Sequence, residues 1–193
     1  GRKIINGYCT DIVTDMAIDF IKESKELGKP FMLMCQHKAP HRTWMPALRH
    51  LHLYDDIDIP EPKTLFDQYE GRIPAQHQEM EIDRHMYLDH DLFTDLTPDL
   101  DFPKQRRPSE DRSAYINMKR MTPDQLKTWR AAYDPKDKAF REAKLTGRDL
   151  VRWKFQRYAK NYLRAIKGVD ENLARLRKAL EDQDLADNTV FVY

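Results

Sequence analysis

The chain has 193 residues, enough for one ordinary domain, and 33 Lys and Arg stand against 32 Asp and Glu for a formal net charge of +1. That balance excludes a general electrostatic attraction to nucleic acid or to an anionic membrane, so any anion site must be local. With 40% hydrophobic and 34% charged residues the apolar supply for a free-standing core is modest, no run approaches a membrane span, and 2 cysteines make no disulfide framework.

Residues 1–7 read as a loop leading into a first helix. Thr10 or Asp11 can cap a helix over 11–27 in which Val13, Met16, Ala17, Phe20 and Ile21 recur at three- and four-residue spacing, while Asp15, Asp19, Lys22, Glu23 and Lys25 face water. Gly28 and Pro30 end it. The apolar run Phe31-Met32-Leu33-Met34-Cys35 then predicts a short buried strand, and helix, turn and strand together form an αβ unit of the kind that builds a parallel sheet. Ligands of open α/β sheets bind at the C-terminal ends of strands. There the chain carries Gln36-His37-Lys38-Ala39-Pro40-His41-Arg42-Thr43-Trp44-Met45-Pro46. Two imidazoles, an ammonium, a guanidinium and an indole in so few residues suit an anionic ligand carried on a ring: the cations hold the anion and the indole packs on the ring. Pro40 and Pro46 stiffen the loop and keep it extended.

Residues 47–54 alternate ambiguously between a short helix and an extended segment, and Pro60 and Pro62 break any helix that follows. Residues 64–69 can form one helical turn. Residues 72–121, with Pro74, Pro98, Pro103 and Pro108, lack a sustained period and read as a long surface insertion whose aromatic content argues for packing on a larger body. Thr122-Pro123-Asp124-Gln125 is a strong helix start, followed by Leu126, Trp129 and Tyr133; Pro135 is expected to end that helix, and 137–145 to form a second short one. The longest element is predicted over 150–183, where Val151, Phe155, Tyr158, Tyr162, Ile166, Val169, Leu173, Leu176 and Leu180 lie on one face. Gly168 inside it suggests a close contact or a bend. A turn over 186–189 leads to a second buried strand, 190–193.

The loop from His37 to Pro46 resembles that of type I sulfatases in the alkaline-phosphatase superfamily, especially members that act on sulfated hexosamines of glycosaminoglycans or mucins. Gly7-Tyr8-Cys9-Thr10-Asp11-Ile12-Val13-Thr14-Asp15 is similar to that family's helix start, and Val169-Asp170 with Asn188-Thr189-Val190-Phe191-Val192-Tyr193 to its later helix and strand. The resemblance implies an α/β fold: part of a mainly parallel sheet flanked by helices, with a long irregular insertion. It implies that residues 1–193 are an internal part of one catalytic domain, divided into helix, strand and active-site loop (1–62), insertion (63–121), and helices with strand (122–193). The implied activity is a sulfuric ester hydrolase removing sulfate from a sugar such as N-acetylglucosamine 6-sulfate. His41 is then the catalytic residue, protonating the leaving alcohol, and Lys38, Arg42, His37 and Trp44 are the substrate contacts; Trp44 has a second reading, as a core anchor beneath the loop. Imidazole suits that role because its ordinary pKa of about 6.5 lets it donate a proton near neutrality.

The family makes its nucleophile, formylglycine, from a Cys/Ser-x-Pro-x-Arg motif. Cys9 precedes Thr-Asp-Ile-Val and Cys35 precedes Gln-His-Lys-Ala, so the motif is absent. Formylglycine and the ligands of the family's calcium ion are expected outside these residues, which leaves no metal ligand among them and makes this stretch by itself inactive. The partners implied are a sulfated oligosaccharide and the remainder of the sulfatase domain, with no nucleic acid and no membrane span, in a periplasmic, secreted or lysosomal setting. Two other readings stay open: a phosphodiesterase or phosphonate hydrolase on the same scaffold, and a non-catalytic carbohydrate-binding relative. A zinc site on His37 and His41 is disfavoured, because Pro40 opposes the helix that would align them and no Glu follows His37. His50, His52 and the acid-rich stretch from His85 to Asp91 are expected to be solvated.

Overall fold

A computed structural model describes residues 4–78, 81–94 and 117–192. Among them the helices are α1 (Cys9–Leu27), α2 (Ile73–Gln76), α3 (Ile82–His85), α4 (Pro123–Ala143) and α5 (Gly147–Asp182), with 3-10 turns at Leu48–His50 and Ala186–Asn188. The chain divides into two units, one made of Gly1–His41 with Ala165–Tyr193 and the other of Arg42–Arg164.

In the first unit, α1 is capped two residues before Thr10, the earlier of the expected caps. Tyr8 occupies the cap position without a side-chain bond. Asp11 lies inside the first turn, where a carboxylate favours the helix dipole, and accepts a 2.7 Å bond from Asn172 Nδ2. Gly28 ends α1 in the left-handed region, at φ 61, with its N–H on the Lys25 carbonyl. The buried face of α1, Ala17 and Ile21, packs on Leu176 and Leu180 of α5, with Phe31, Leu33 and Cys35 laid against them. Each fully buried Ile or Leu there is worth about 1.5–3 kcal/mol. Gly168 does mark a close contact, since a Cβ on it would stand 3.1 Å from the Tyr8 ring.

The 31–35 segment keeps the period-two alternation of a strand. Phe31, Leu33 and Cys35 are half-buried and Met32 and Met34 exposed. The same alternation runs on to residue 39. Among the described residues no strand is assigned, and neither 31–35 nor 190–192 has a backbone ladder partner. An extended conformation is local, but a strand is defined by pairing. Tyr193 and residues 95–116, including Pro98, Pro103 and Pro108, lie outside the described residues.

In the second unit, the predicted start of α4 is realised as a full capping box: Gln125 N–H donates to Thr122 Oγ1, and the Gln125 side chain accepts from Thr122 N–H at 2.8 Å. Pro135 does not end this helix, contrary to the sequence expectation, and the short helix expected over 137–145 is its second half. An internal proline removes one N–H and costs about 3 kcal/mol. Here Pro135 and Ala131, whose carbonyl loses its donor, are both exposed, so water can serve that carbonyl. The opposite face is anchored on both sides of the proline. Trp129 and Tyr133 stack at 4.3 Å, Phe93 meets Trp129 edge-on, and Phe140 stacks on Trp153 at 3.8 Å. Burying Trp129 and Tyr133 together outweighs one missing hydrogen bond.

α5 faces α4 with buried polar groups as well as apolar ones. Tyr133 Oη donates to Asn161 Oδ1 at 2.6 Å, Arg157 pairs with Asp137 at 2.6 Å, and Arg164 pairs with Asp55 at 2.6 Å and donates to the Leu53 carbonyl.

Candidate active site

The loop leaves the 31–35 segment on the same alternation, so His37 falls on the covered side and Lys38 and Pro40 on the open one. His37 Nε2 stands 3.8 Å from Cys35 Sγ, and its Nδ1 is buried without a hydrogen-bond partner. Burial pushes the His37 pKa below the ordinary histidine value and the Cys35 thiol up. At neutral pH the ring is therefore uncharged and the thiol protonated.

Next the chain turns. The His41 N–H donates to the Lys38 carbonyl at 2.9 Å, and the Ala39–Pro40 and Arg42–Thr43 peptide bonds are cis. Lys38 and His41 are exposed.

Beyond the turn the loop is anchored twice. Arg42 Nε and Nη2 donate to Asp91 Oδ1 and Oδ2, each at 2.5 Å, in the two-pronged geometry that a planar guanidinium makes with a carboxylate. The Arg42 side chain is 37% exposed and Asp91 0%. Asp91 Oδ2 also accepts the Tyr87 N–H at 2.7 Å. Trp44 packs edge-on against Tyr158 and Tyr162, with ring centroids 4.6 and 6.4 Å away, and the buried Pro46 and Ala47 follow.

Asp91 was not among the expected site residues. The stretch from His85 to Asp91, expected to be solvated, is partly core: His90 and Asp91 are buried, with His90 Nε2 3.9 Å from Asp91 Oδ1. Lys154 is buried nearby in electrostatic terms, donating to the Asp83 carbonyl at 2.7 Å; burial pushes its pKa down, against the pull of Asp83 and Asp91. The one available signal is the Leu92-Phe93 pair directly after Asp91, which carries the acid into the core with it. His50 is buried as well, whereas His52 is exposed and bonded to Asp55 at 3.1 Å.

Among the described residues no group of three or more His, Cys, Asp and Glu could hold a metal ion. The ligands of the family's calcium ion are expected outside these residues, so no step is assigned to calcium. No helix among them is long and apolar enough to cross a membrane.

An αβ segment that delivers a cation-rich loop from the end of an extended run is the arrangement expected of an alkaline-phosphatase-like scaffold. The Sulfatase family model matches residues 2–193, and the chain belongs to that family. N-acetylglucosamine-6-O-sulfatase of Bacteroides thetaiotaomicron is 39% identical over 194 residues, covering 100% of this chain and 34% of that protein. A solved structure, of BT4656 in complex with its substrate D-glucosamine-2-N,6-O-disulfate, superposes with a TM-score of 0.83 at 39% identity, over 97% of this chain and 37% of the other. The chain thus spans about a third of the length of the relatives it matches.

Proposed function

We propose that the protein hydrolyses a sulfate ester on a sugar, a hexosamine such as N-acetylglucosamine 6-sulfate, and that His41 hands a proton to the leaving alcohol oxygen. The observation that carries this is family membership across residues 2–193. The sugar class is supported by the relative's activity and by the neighbour's substrate.

When the sulfur–oxygen bond breaks, its electron pair stays on the sugar oxygen. An alkoxide is strongly basic and leaves poorly, so a proton delivered as the bond breaks lowers the barrier, and general acids of this kind contribute typically 10²–10⁴-fold. His41 is exposed in a turn closed by its own N–H on the Lys38 carbonyl, which presents the ring to a ligand. Lys38, exposed beside it, is the cation assigned to the substrate's anionic groups. His37, uncharged, and Trp44, half-buried against two tyrosines, are assigned to the shape of the sugar site rather than to its charge.

Residues 1–193 are assigned to one sulfatase catalytic domain, in which 31–35 and 190–192 are strands of a mainly parallel sheet whose other strands come from the rest of that domain. Supporting this, a groove of about 1010 Å³ is lined by both segments together with Leu173, Leu176 and Leu180. Met32, Met34, Val190 and Val192 are exposed, as uncovered faces of sheet strands would be. The formylglycine nucleophile and the calcium ligands are assigned to that remainder, and a periplasmic, secreted or lysosomal setting to the whole.

The test is turnover of N-acetylglucosamine 6-sulfate by the full-length protein and its His41→Ala variant. A fall in kcat of roughly 10²–10⁴-fold with little change in KM is expected. Equal turnover by the two would remove His41 from the mechanism.

A further inference from the structure

We propose that Asp91 is a positioning residue for the sulfatase reaction: through Arg42 it fixes the backbone immediately after His41, so that the imidazole reaches the leaving oxygen. This rests on the reading of His41 given above. Three observations carry it. Asp91 is fully buried, yet both of its oxygens are spent on one guanidinium, with bonds of 2.5 Å, and on the Tyr87 N–H. The guanidinium belongs to the residue next to His41, and a bidentate pair fixes orientation as well as distance. Arg42 Nη2 also reaches the His85 carbonyl at 3.4 Å, so both the backbone and a side chain of the 85–91 stretch grip this one loop residue.

The geometry assigns Arg42 to holding the loop rather than to binding sulfate. A substrate anion would have to compete with a buried carboxylate whose separation from its partner would leave a charge in the interior, a costly state. A misplacement of about 1 Å at a reacting group can lower a rate on the order of 10²-fold. A loosened anchor therefore affects proton delivery before it affects sulfate binding.

Two substrates separate this role from a merely structural one. A sugar sulfate leaves as a strongly basic alkoxide and needs the proton; an aryl sulfate with an acidic phenol as leaving group does not. In the full-length protein, Asp91→Asn is expected to lower kcat on N-acetylglucosamine 6-sulfate by about 10–100-fold, with KM nearly unchanged, and on 4-nitrophenyl sulfate by less than about 3-fold. Should Asp91→Asn not fold, Arg42→Lys, which keeps the charge but loses the fork on a side chain that is 37% exposed, is expected to give the same split. The double variant is expected to be no worse than the more damaged single one.

Equal losses on both substrates, or full activity in both variants, would overturn the proposal. So would a rise in KM without loss of kcat in Arg42→Lys, which would return Arg42 to the substrate. His41→Ala is run beside them. If it shows the leaving-group-dependent loss and the Asp91 and Arg42 variants do not, Asp91 alone is refuted; if it shows none, the reading of His41 falls and the proposal with it.

Discussion

Asp137 and Arg157 offer the sharpest stability test, because both members of the pair are buried, with side chains 9% and 6% exposed and a 2.6 Å bond between them. Asp137→Ala removes the counter-charge and leaves the guanidinium with the Leu92 carbonyl at 2.9 Å and the Tyr133 ring at 4.3 Å. Neither of these carries a full negative charge. Breaking one side of a buried ion pair costs about 3–5 kcal/mol, because what remains is an uncompensated charge in the interior. With a urea m value of about 2–3 kcal/mol per M, the unfolding midpoint of the full-length protein should fall by about 1–2.5 M. The double variant Asp137→Leu with Arg157→Met removes both charges and fills the space, so it should recover most of that loss. Asp134→Ala is the internal control: its partner Arg130 is 3.6 Å away on an exposed face, and an exposed pair of that kind contributes about 0–1 kcal/mol. The reasoning fails if Asp137→Ala costs less than about 1 kcal/mol, or if the double variant is no better than Asp137→Ala.

Trp44→Ala should destabilise the protein by about 2–3 kcal/mol, since it loses two aromatic edge contacts and the burial of half an indole, and should lower kcat/KM, whereas Trp44→Phe retains most of both; thermal unfolding and steady-state kinetics read the two effects. Asp55 supplies a pH dependence. Burial opposes its ionisation, but the hydrogen bond from Lys136, the bond from His52 and the charge of Arg164 outweigh burial and hold its pKa below the usual carboxylate value. A carboxylate depressed in the folded state contributes stability that is present above its unfolded pKa and lost as pH falls through the folded value. Wild-type urea midpoints should therefore drop below about pH 4, and Asp55→Asn should show a shallower drop; parallel curves would assign the acid lability to other groups.

What the sequence made legible was local. Thr122, Pro123 and Gln125 announce a helix start within four residues, and the α5 stripe from Val151 to Leu180 is a repeating pattern; both are realised. Pro135 misled because helix breaking is a local tendency, and the decisive facts were distant: Trp129 and Tyr133 buried on one side of it, Phe140 stacked on Trp153 on the other, and a solvent-facing ring between. The two apolar segments show a different limit. Residues 31–35 show the alternating exposure that their pattern implies, but a pattern cannot supply the neighbour that turns such a segment into a paired strand.

The same limit applies to the loop. Lys38, Arg42, His37 and Trp44 lie close together in the chain, and such proximity of cations and rings is visible in sequence. Whether a cation is available to an anionic ligand depends instead on its counter-charge, and that of Arg42 stands 49 residues away, in a stretch with no sustained period. Burial likewise lowers the His37 pKa, through a covered side that only the packing of 31–39 defines. The proposed chemistry therefore rests on Lys38 and His41, both exposed, while Arg42 is held by a buried carboxylate that an anionic ligand would have to displace.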